Sequence, residues 1–337
     1  VSNTYSTNQY AELGLASGDS PLITPTEIAR PGTDAYTSAV ADNAARGVTL
    51  DDGASINFLG GTTNQAIPLP YLTQNAAITV GSSVAFTEPV ILDYRNDTWK
   101  FQPTAQLTAS GELPATFSDV RETEPTDVGG DIQIAGFNVL NYFTTTGDEL
   151  AGCTFYNDRT GDPVTVNSGC DARGAAEDED LERQQAKIVA AINGLDAEVV
   201  SLEEIENSVK FGKDRDEALS TLVDALNEAA GADEWEFVPS PDASALPSVS
   251  AQDVIRNAFI YKKAAVEPIG DSQVLLDAAF SNARQPLAQE FQVVGADGSF
   301  IAIVNHFKSK GSGSGADADQ NDGQGGSNAS RVAQAKA

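Results

Sequence analysis

The hydrophobic pattern changes near residue 130, and this change constrains the fold more than any other feature of the sequence. Beyond it, short apolar runs alternate with two segments of helical period, residues 178–193 and 217–230. Interleaved strands and helices are typical of a layered α/β domain, which we predict over residues 131–337. The predicted strands of this domain lie at 132–137, 198–202, 258–261, 289–294 and 300–304.

Residues 1–121 have a different pattern, in which short apolar or alternating runs are separated by clusters of Pro, Gly, Asn and Thr. This pattern predicts a small all-β domain, either a barrel or a sandwich. The polar stretch 122–130, ETEPTDVGG, is predicted to be a linker. The runs that predict strands lie at 10–15, 48–50, 76–80, 83–86, 90–94 and 99–102.

The chain of 337 residues is strongly acidic, with 49 Asp and Glu against 20 Lys and Arg and a formal net charge of −29. Such a field repels nucleic acid and anionic lipid at long range, so a polyanionic partner would require a local basic patch or bound cations. No apolar run approaches the roughly 20 residues of a membrane helix, so we predict no membrane insertion. No feature of the sequence indicates a protein partner.

The two cysteines, Cys153 and Cys170, lie close together in the sequence and predict a local disulfide. With one distant histidine, His306, they form no plausible zinc set. A disulfide here would stabilise the fold by about 3 kcal/mol and would indicate an oxidising compartment. Two free, buried thiols are the alternative. The sequence begins without a basic-then-apolar leader, so we expect any signal peptide to lie outside it.

Three apolar strands of the predicted α/β domain end on a polar side chain: Asn138, Glu204 and His306. A strand end can hold a side chain in a cleft without burying it. Amide and carboxylate oxygens are natural ligands for Mg²⁺, and a histidine beside such a site can stabilise or protonate a phosphoryl oxygen. The alternative for His306 is a structural role. The combination of the three within one domain predicts a catalytic metal site.

Two further stretches bear on ligands. Residues 256–310 contain six basic and five acidic residues, which makes this the one long stretch of the chain that is not acidic. Lys308 follows His306 closely and predicts a phosphate-contacting rim, although scattered solvated lysines would look the same. The Gly-, Ser- and Asp-rich segment 309–330 is either a mobile loop or a secondary cation loop. Its candidate ligands are Asp317, Asp319 and Asn321.

Taken together, the motifs resemble the secreted bacterial nucleases of the endonuclease/exonuclease/phosphatase superfamily, which includes pancreatic deoxyribonuclease. The segment LDYRNDTWKFQPT (92–104) is similar to a strand pair of the small OB-like β domain that these nucleases often carry. The segments that carry the resemblance are GFNVLNYFTT (136–145), ERQQAKIVAAINGLDAEVVSLEEIEN (182–207), RNAFIYKKAAVEPIG (256–270), FSNARQPLAQEF (280–291) and IVNHFKSKG (303–311), followed by DADQNDGQG…NASR (317–331).

The resemblance implies a four-layer α/β sandwich, class α/β or α+β, behind the small OB-like domain, and cleavage of phosphodiester bonds with Mg²⁺ or Mn²⁺. Ca²⁺ is a further candidate cofactor. Asn138 and Glu204 would hold the metal, with Glu204 preferred because its neighbour Glu203 stands where the family usually has an uncharged residue. His306 and Glu204 would be catalytic, and Arg284 would contact a substrate phosphate. Tyr261 would line the DNA cleft, with a core position as the alternative.

The family's last segments, a strand ending in an Asp-x-Asn pair and a terminal Ser-Asp-His, are not found in this sequence. We therefore expect both domains to be partial and this stretch alone to be inactive. For the intact protein we predict a secreted or cell-surface nuclease that hydrolyses extracellular DNA, with RNA as a further substrate, and with little sequence specificity. The alternatives are a phosphatase or lipid phosphodiesterase of the same fold, or a non-catalytic surface or matrix protein.

Overall fold

The structure is a computed structural model that describes residues 1–72, 78–311 and 313–337. It is a mixed α/β protein with several sheets, and it divides into two compact units. No helix in these described ranges is long and apolar enough to cross a membrane. The first unit comprises Val1–Thr123, Arg159–Gly161 and Gln320–Gln324, and the second comprises Glu124–Asp158, Asp162–Asp319 and Gly325–Ala337.

The first unit is built around a four-stranded sheet and a separate two-stranded pair. The sheet has the order β1-β2-β5-β4, and β3 pairs with β6. Leu13, Leu50, Phe58 and Tyr71 are fully buried in its core. Its helices are α1 (Thr7–Tyr10), α2 (Pro25–Ile28), α3 (Asp34–Arg46) and α4 (Thr62–Gln65). Its strands are β1 (Leu13–Ala16), β2 (Gly47–Leu50), β3 (Val84–Phe86), β4 (Val90–Arg95), β5 (Thr98–Pro103) and β6 (Ala115–Phe117).

The prediction of an all-β first domain is wrong, because α3 alone supplies a 13-residue helix. The hydroxyl of Thr33 caps its first turn by accepting from the backbone N–H of Tyr36, and Asp34 and Arg46 carry the charges that the helix dipole favours at either end. No residue of α3 is buried, and its apolar residues are mostly alanine, so the helical period in the sequence is weak. The strand predicted at 76–80 begins within residues 73–77, which lie outside the described part of the chain.

A buried carboxyl in the first unit predicts a pH-dependent stability. One oxygen of Asp52 accepts from the backbone N–H of Ala54, while its second oxygen is buried without a hydrogen-bond partner. Burial, and then the neighbouring carboxylate of Asp51, raise the pKa of Asp52 to about 6. The folded state thus binds this proton more tightly than the unfolded state does. The free energy of unfolding should fall as the pH rises from about 4 to about 6.

Asp52→Asn should remove this dependence and raise the free energy of unfolding at neutral pH by roughly 1 to 2 kcal/mol. The reason is that the amide is uncharged and has an N–H to donate towards Asp51. Urea unfolding of both proteins across this pH range measures the difference. A variant that is less stable than the parent at neutral pH would show that the Asp52 carboxylate is not a destabilising charge.

The second unit arranges helices, a mixed sheet and a second sheet in layers. The mixed sheet has the order β11-β12-β10-β7, with β7 and β10 parallel, and the second has the order β13-β14-β15. Its helices are α5 (Asp178–Leu195), α6 (Glu217–Ala230) and α7 (Asn328–Lys336). Its strands are β7 (Ile134–Tyr142), β8 (Thr154–Asn157), β9 (Pro163–Ser168), β10 (Val199–Glu206), β11 (Trp235–Phe237), β12 (Ile255–Lys262), β13 (Val266–Val274), β14 (Leu287–Val293) and β15 (Ser299–Val304).

The two faces of the mixed sheet bury different parts of the sequence. Leu202, on one face, packs in a cluster with Ile192 of α5 and Leu222 of α6. Val199, on the other face, packs in a cluster with Phe291 of the second sheet. Side chains alternate across a strand, so β10 is buried on both sides, as its continuous apolar run predicts. The coarse α/β layering is confirmed, while the four-layer sandwich and the OB-like domain stay predictions.

The predicted disulfide is confirmed. Cys153 and Cys170 are bonded, with their Cα atoms 4.8 Å apart, and the bond closes the hairpin formed by β8 and β9. The aromatic ring of Phe155 and the side chain of Val166 pack beneath this hairpin in a cluster with Phe143. The disulfide therefore stabilises a short antiparallel strand pair that would be only marginally stable alone. The packing of Phe155 and Val166 attaches this pair to the core of the second unit.

Candidate active site

The carboxyl ends of β7 and β10 carry an irregularity at the residues predicted to bind metal. Asn138 lies opposite Glu203 in the parallel register, but the next pair is Tyr142 with Ile205. Glu204 alone therefore opposes three residues of β7. Leu140, Asn141 and Glu204 all have positive φ angles, of 51°, 53° and 66°. Such backbone costs about 1 to 3 kcal/mol per residue and is concentrated at functional sites.

The bulge brings Glu204 to His306, although they come from different sheets. His306 follows the last residue of β15 by two positions, and its Nε2 lies 3.6 Å from Oε1 of Glu204. About one fifth of each side chain is exposed, 20% for Glu204 and 18% for His306. This separation is too long for a good hydrogen bond, and the two groups attract each other as opposite charges only when His306 is protonated.

Arg284 lies near His306 and is largely buried. Its Nη2 donates to the carbonyl of Phe307 at 3.2 Å, and its Nη1 lies 3.7 Å from Oδ2 of Asp253. Its Nε is buried with no hydrogen-bond partner among the described residues. Burial lowers the pKa of Arg284, while the charges of Asp253 and Glu204 oppose this shift. Arg284 therefore has an unused donor within electrostatic reach of Glu204.

His306 is held neutral by its surroundings. Burial lowers its pKa, and the charge of Arg284 lowers it further, whereas the carboxylates of Glu204 and Asp253 act in the opposite direction. Nδ1 of His306 is buried and, within the part of the chain that the structure describes, has no hydrogen-bond partner. A neutral imidazole has one N–H to donate and one nitrogen that accepts a proton. At neutral pH, His306 can therefore either donate a hydrogen bond or accept a proton.

The donor atoms at the bulge fit a hard cation. Burial, and then the charge of Glu204, raise the pKa of the Glu203 carboxyl, so the two carboxylates repel each other. A divalent cation would relieve this repulsion. Oδ1 of Asn138 accepts from the backbone N–H of Leu140 at 2.8 Å and keeps a second lone pair. In the described ranges no three His, Cys, Asp or Glu residues form a metal cluster, but Mg²⁺ requires only one or two carboxylates.

Tyr261 does not belong to this site, and its predicted role as a cleft residue is wrong. It pairs with Val199, at the beginning of β10, whereas Glu204 lies near the end of that strand. Its ring is buried 5.9 Å from that of Phe291, measured between centroids. The core alternative is the one observed. The sequence could not separate the two roles. A tyrosine in an apolar strand gives the same pattern whether its ring packs in the core or lines a cleft.

Lys308 and the Asp-rich loop are engaged with α7. The backbone N–H of Lys308 donates to Oε1 of Gln334, and the charge of Lys308 acts on Asp317. The Asp317 carboxylate accepts from both the backbone N–H and the hydroxyl of Ser330, at 2.8 and 2.6 Å. Asp317 therefore stabilises the first turn of a helix. The cation loop predicted at Asp317, Asp319 and Asn321 stays a prediction.

Sequence reasoning missed three residues beside the site. Asp253 precedes β12 and contacts both Arg284 and Arg173, the latter through Oδ1 and Nη2 at 2.9 Å. Asn257 donates to the carbonyl of Gln285, and its Oδ1 is buried without a hydrogen-bond partner in the described structure. None of these residues ends an apolar strand, which was the signal that identified the others. Their positions depend on tertiary contacts between distant segments.

Comparisons with known proteins leave the family open. No protein-family model matches this chain, and no curated protein matches it. The resemblance to the endonuclease/exonuclease/phosphatase superfamily therefore stays a prediction based on its motifs. The features that indicate a function are the cluster of Glu204, His306 and Arg284 and the oxygen atoms at the bulge.

Proposed function

We propose that the second unit carries the active site of a secreted, metal-dependent phosphodiesterase that hydrolyses extracellular DNA. The observation that supports this most strongly is the 3.6 Å contact between Glu204 and His306, with the buried Arg284 beside it. These residues come from three distant segments of the chain. A carboxylate, a neutral imidazole and a guanidinium around one space can bind a cation and a phosphate ester together.

The proposed cofactor is Mg²⁺ or Mn²⁺, held by the carboxylate of Glu204 and by Oδ1 of Asn138. When bound, such an ion withdraws electron density from a phosphate oxygen and offsets the negative charge that develops during hydrolysis. Glu203 adds a second negative charge beside the same position, which raises the affinity of the site for a dication. The acidic protein as a whole repels a polyanion, and a bound dication would weaken this repulsion at the site.

His306 and Arg284 act on the phosphate itself. The guanidinium of Arg284 lies near Asp253 and donates to the carbonyl of Phe307, and in this proposal its Nη groups also donate to a phosphate oxygen. The neutral imidazole of His306 donates a hydrogen bond to the same phosphate or transfers a proton at Nε2. Both groups are fixed before substrate arrives, so little reorganisation is required when charge develops.

The substrate class follows from the kind of contact that the site offers. Phosphate contacts carry no base information, so cleavage is expected to be nearly independent of sequence. The disulfide between Cys153 and Cys170 is compatible with an oxidising compartment, which supports an extracellular location. DNA is a phosphodiester polymer with one such contact per nucleotide, and RNA offers the same linkage.

A plasmid-cleavage assay with metal removal tests the proposal. The polypeptide that the gene encodes should nick supercoiled DNA when Mg²⁺ or Mn²⁺ is present, and a chelator should abolish the activity until metal is restored. Phosphate monoesters and phospholipid headgroups serve as comparison substrates. Preferential hydrolysis of either would assign a phosphatase or a lipid phosphodiesterase. Failure to hydrolyse any of them, with metal bound, would indicate a non-catalytic protein.

A further inference from the structure

Arg173 shares a carboxylate with Arg284 but remains open to solvent. Its Nη2 lies 2.9 Å from Oδ1 of Asp253, whose Oδ2 faces Arg284 at 3.7 Å. Nearly half of the Arg173 side chain is exposed (47%), compared with 10% for Arg284. One carboxylate thus holds two guanidinium groups, one beside His306 and one farther out. The pair leaves an excess of one positive charge at this edge of the unit.

The backbone that carries Arg173 is fixed rather than loose. Its neighbours Ala172 and Ala175 are buried, and the carbonyl of Gly174 accepts from the backbone N–H of Val166 at 2.9 Å. A Cβ atom on Gly174 would lie 2.8 Å from the backbone oxygen of Asn141, so this segment packs directly on the irregular end of β7. The disulfide closes the same hairpin three residues earlier. Little ordering is therefore required when Arg173 binds a ligand.

Arg173 also lines a groove together with the proposed metal ligand Asn138. The groove passes between the hairpin of β8 and β9 and the surface of α5, where Lys187 adds a positive charge. Tyr156 lies in its wall with 60% of its surface exposed. Cationic side chains followed by an exposed aromatic ring are typical of surfaces that bind a nucleic acid strand, because the cations contact phosphates and the ring stacks on a base.

We propose that Arg173 binds the phosphate next to the scissile one, so that the site is built for a polymeric phosphodiester and not for an isolated phosphate group. This inference rests on the proposed function, because it takes Arg284 and His306 as the position of the scissile phosphate. The chain has a net charge of −29, so most of its surface repels a nucleic acid strand. A second fixed cation at this edge of the unit would attract the strand locally.

The test compares Arg173→Gln with Lys263→Gln. Lys263 follows the far end of β12 and pairs with Asp233, so the control makes the same change in charge away from the site. On DNA, Arg173→Gln should raise KM about tenfold. On a small aryl phosphodiester, the rise in KM caused by Arg173→Gln should be several-fold smaller, because that substrate has no second phosphate. Arg173→Lys keeps the charge and should recover part of the loss on DNA.

A binding arm separates this inference from the proposed function. Affinity for a short labelled DNA duplex is measured in chelator at several salt concentrations, where no hydrolysis occurs. Arg173→Gln should reduce the slope of log affinity against log salt by about 0.9, the value for one lost phosphate contact, and Lys263→Gln should not. An unchanged slope, or equal losses on DNA and on the small diester, would overturn the role of Arg173. If the parent protein hydrolyses nothing, the proposed function fails, and the salt slope still shows whether Arg173 contacts a phosphate of the DNA.

Discussion

Glu204→Gln should lower the rate of metal-dependent DNA hydrolysis at least about 1000-fold, which corresponds to roughly 4 kcal/mol of lost transition-state stabilisation. The substitution keeps the size of the side chain but removes the charge that faces His306 at 3.6 Å and that would bind the cation. Plasmid nicking by the product of the whole gene, across a range of Mg²⁺ concentrations, measures the effect. Circular dichroism and thermal unfolding verify that the variant is folded.

Glu203→Gln is the matched control, because it makes the same chemical change one residue earlier on β10. Glu203 has a raised pKa from burial and from the charge of Glu204, and it lies opposite Asn138 in the register. We expect it to weaken the apparent affinity for Mg²⁺ and to reduce the rate no more than about tenfold. If Glu203→Gln abolished activity while Glu204→Gln retained it, the metal would have to be assigned to Glu203.

His306→Ala should reduce the rate of hydrolysis by about 100- to 10,000-fold, the range of a positioned proton donor or acceptor. His306→Gln retains an N–H donor and should lose less if hydrogen bonding to the phosphate is the main contribution. Equal losses would instead favour proton transfer, because glutamine cannot titrate. A rate unchanged in His306→Ala would assign the histidine a structural role.

The pH dependence follows from the same residue. Burial and the charge of Arg284 lower the pKa of His306 below its usual value of 6.5, so the neutral form should persist into mildly acidic solution. The chain contains one histidine, so its imidazole NMR signal requires no assignment. Arg284→Gln should raise this pKa, because it removes a nearby positive charge, and Glu204→Gln should lower it. A pKa unaffected by both variants would contradict the arrangement of the three groups.

Much of the second unit could be predicted from sequence because its elements have strong local signals. Helix α6 has the predicted bounds, and α5 begins at the predicted residue with acidic side chains in its first turn. Each of the five predicted strands overlaps an observed one. In the first unit, α3 was missed because none of its residues is buried and its apolar residues are mostly alanine, which gives a weak helical period.

The candidate site was predictable only in part. Polar residues at the ends of apolar strands gave Asn138, Glu204 and His306, and the structure brings the last two together. The positive φ of Glu204 and the bridging position of Asp253 had no signal, because both depend on how β10 meets distant segments. Local patterns identify which side chains reach an edge of a sheet, whereas tertiary packing decides which of them meet.

Paramagnetic broadening of the His306 signal by Mn²⁺ tests the central claim most directly. If the cation binds at Glu204, the imidazole resonance of tag-free protein should broaden at low Mn²⁺, before the acidic surface is saturated. Excess Mg²⁺ should restore the signal, and Glu204→Gln should prevent the broadening. A resonance that stays sharp until Mn²⁺ covers the whole surface, or that broadens equally in Glu204→Gln, would contradict a metal site beside His306.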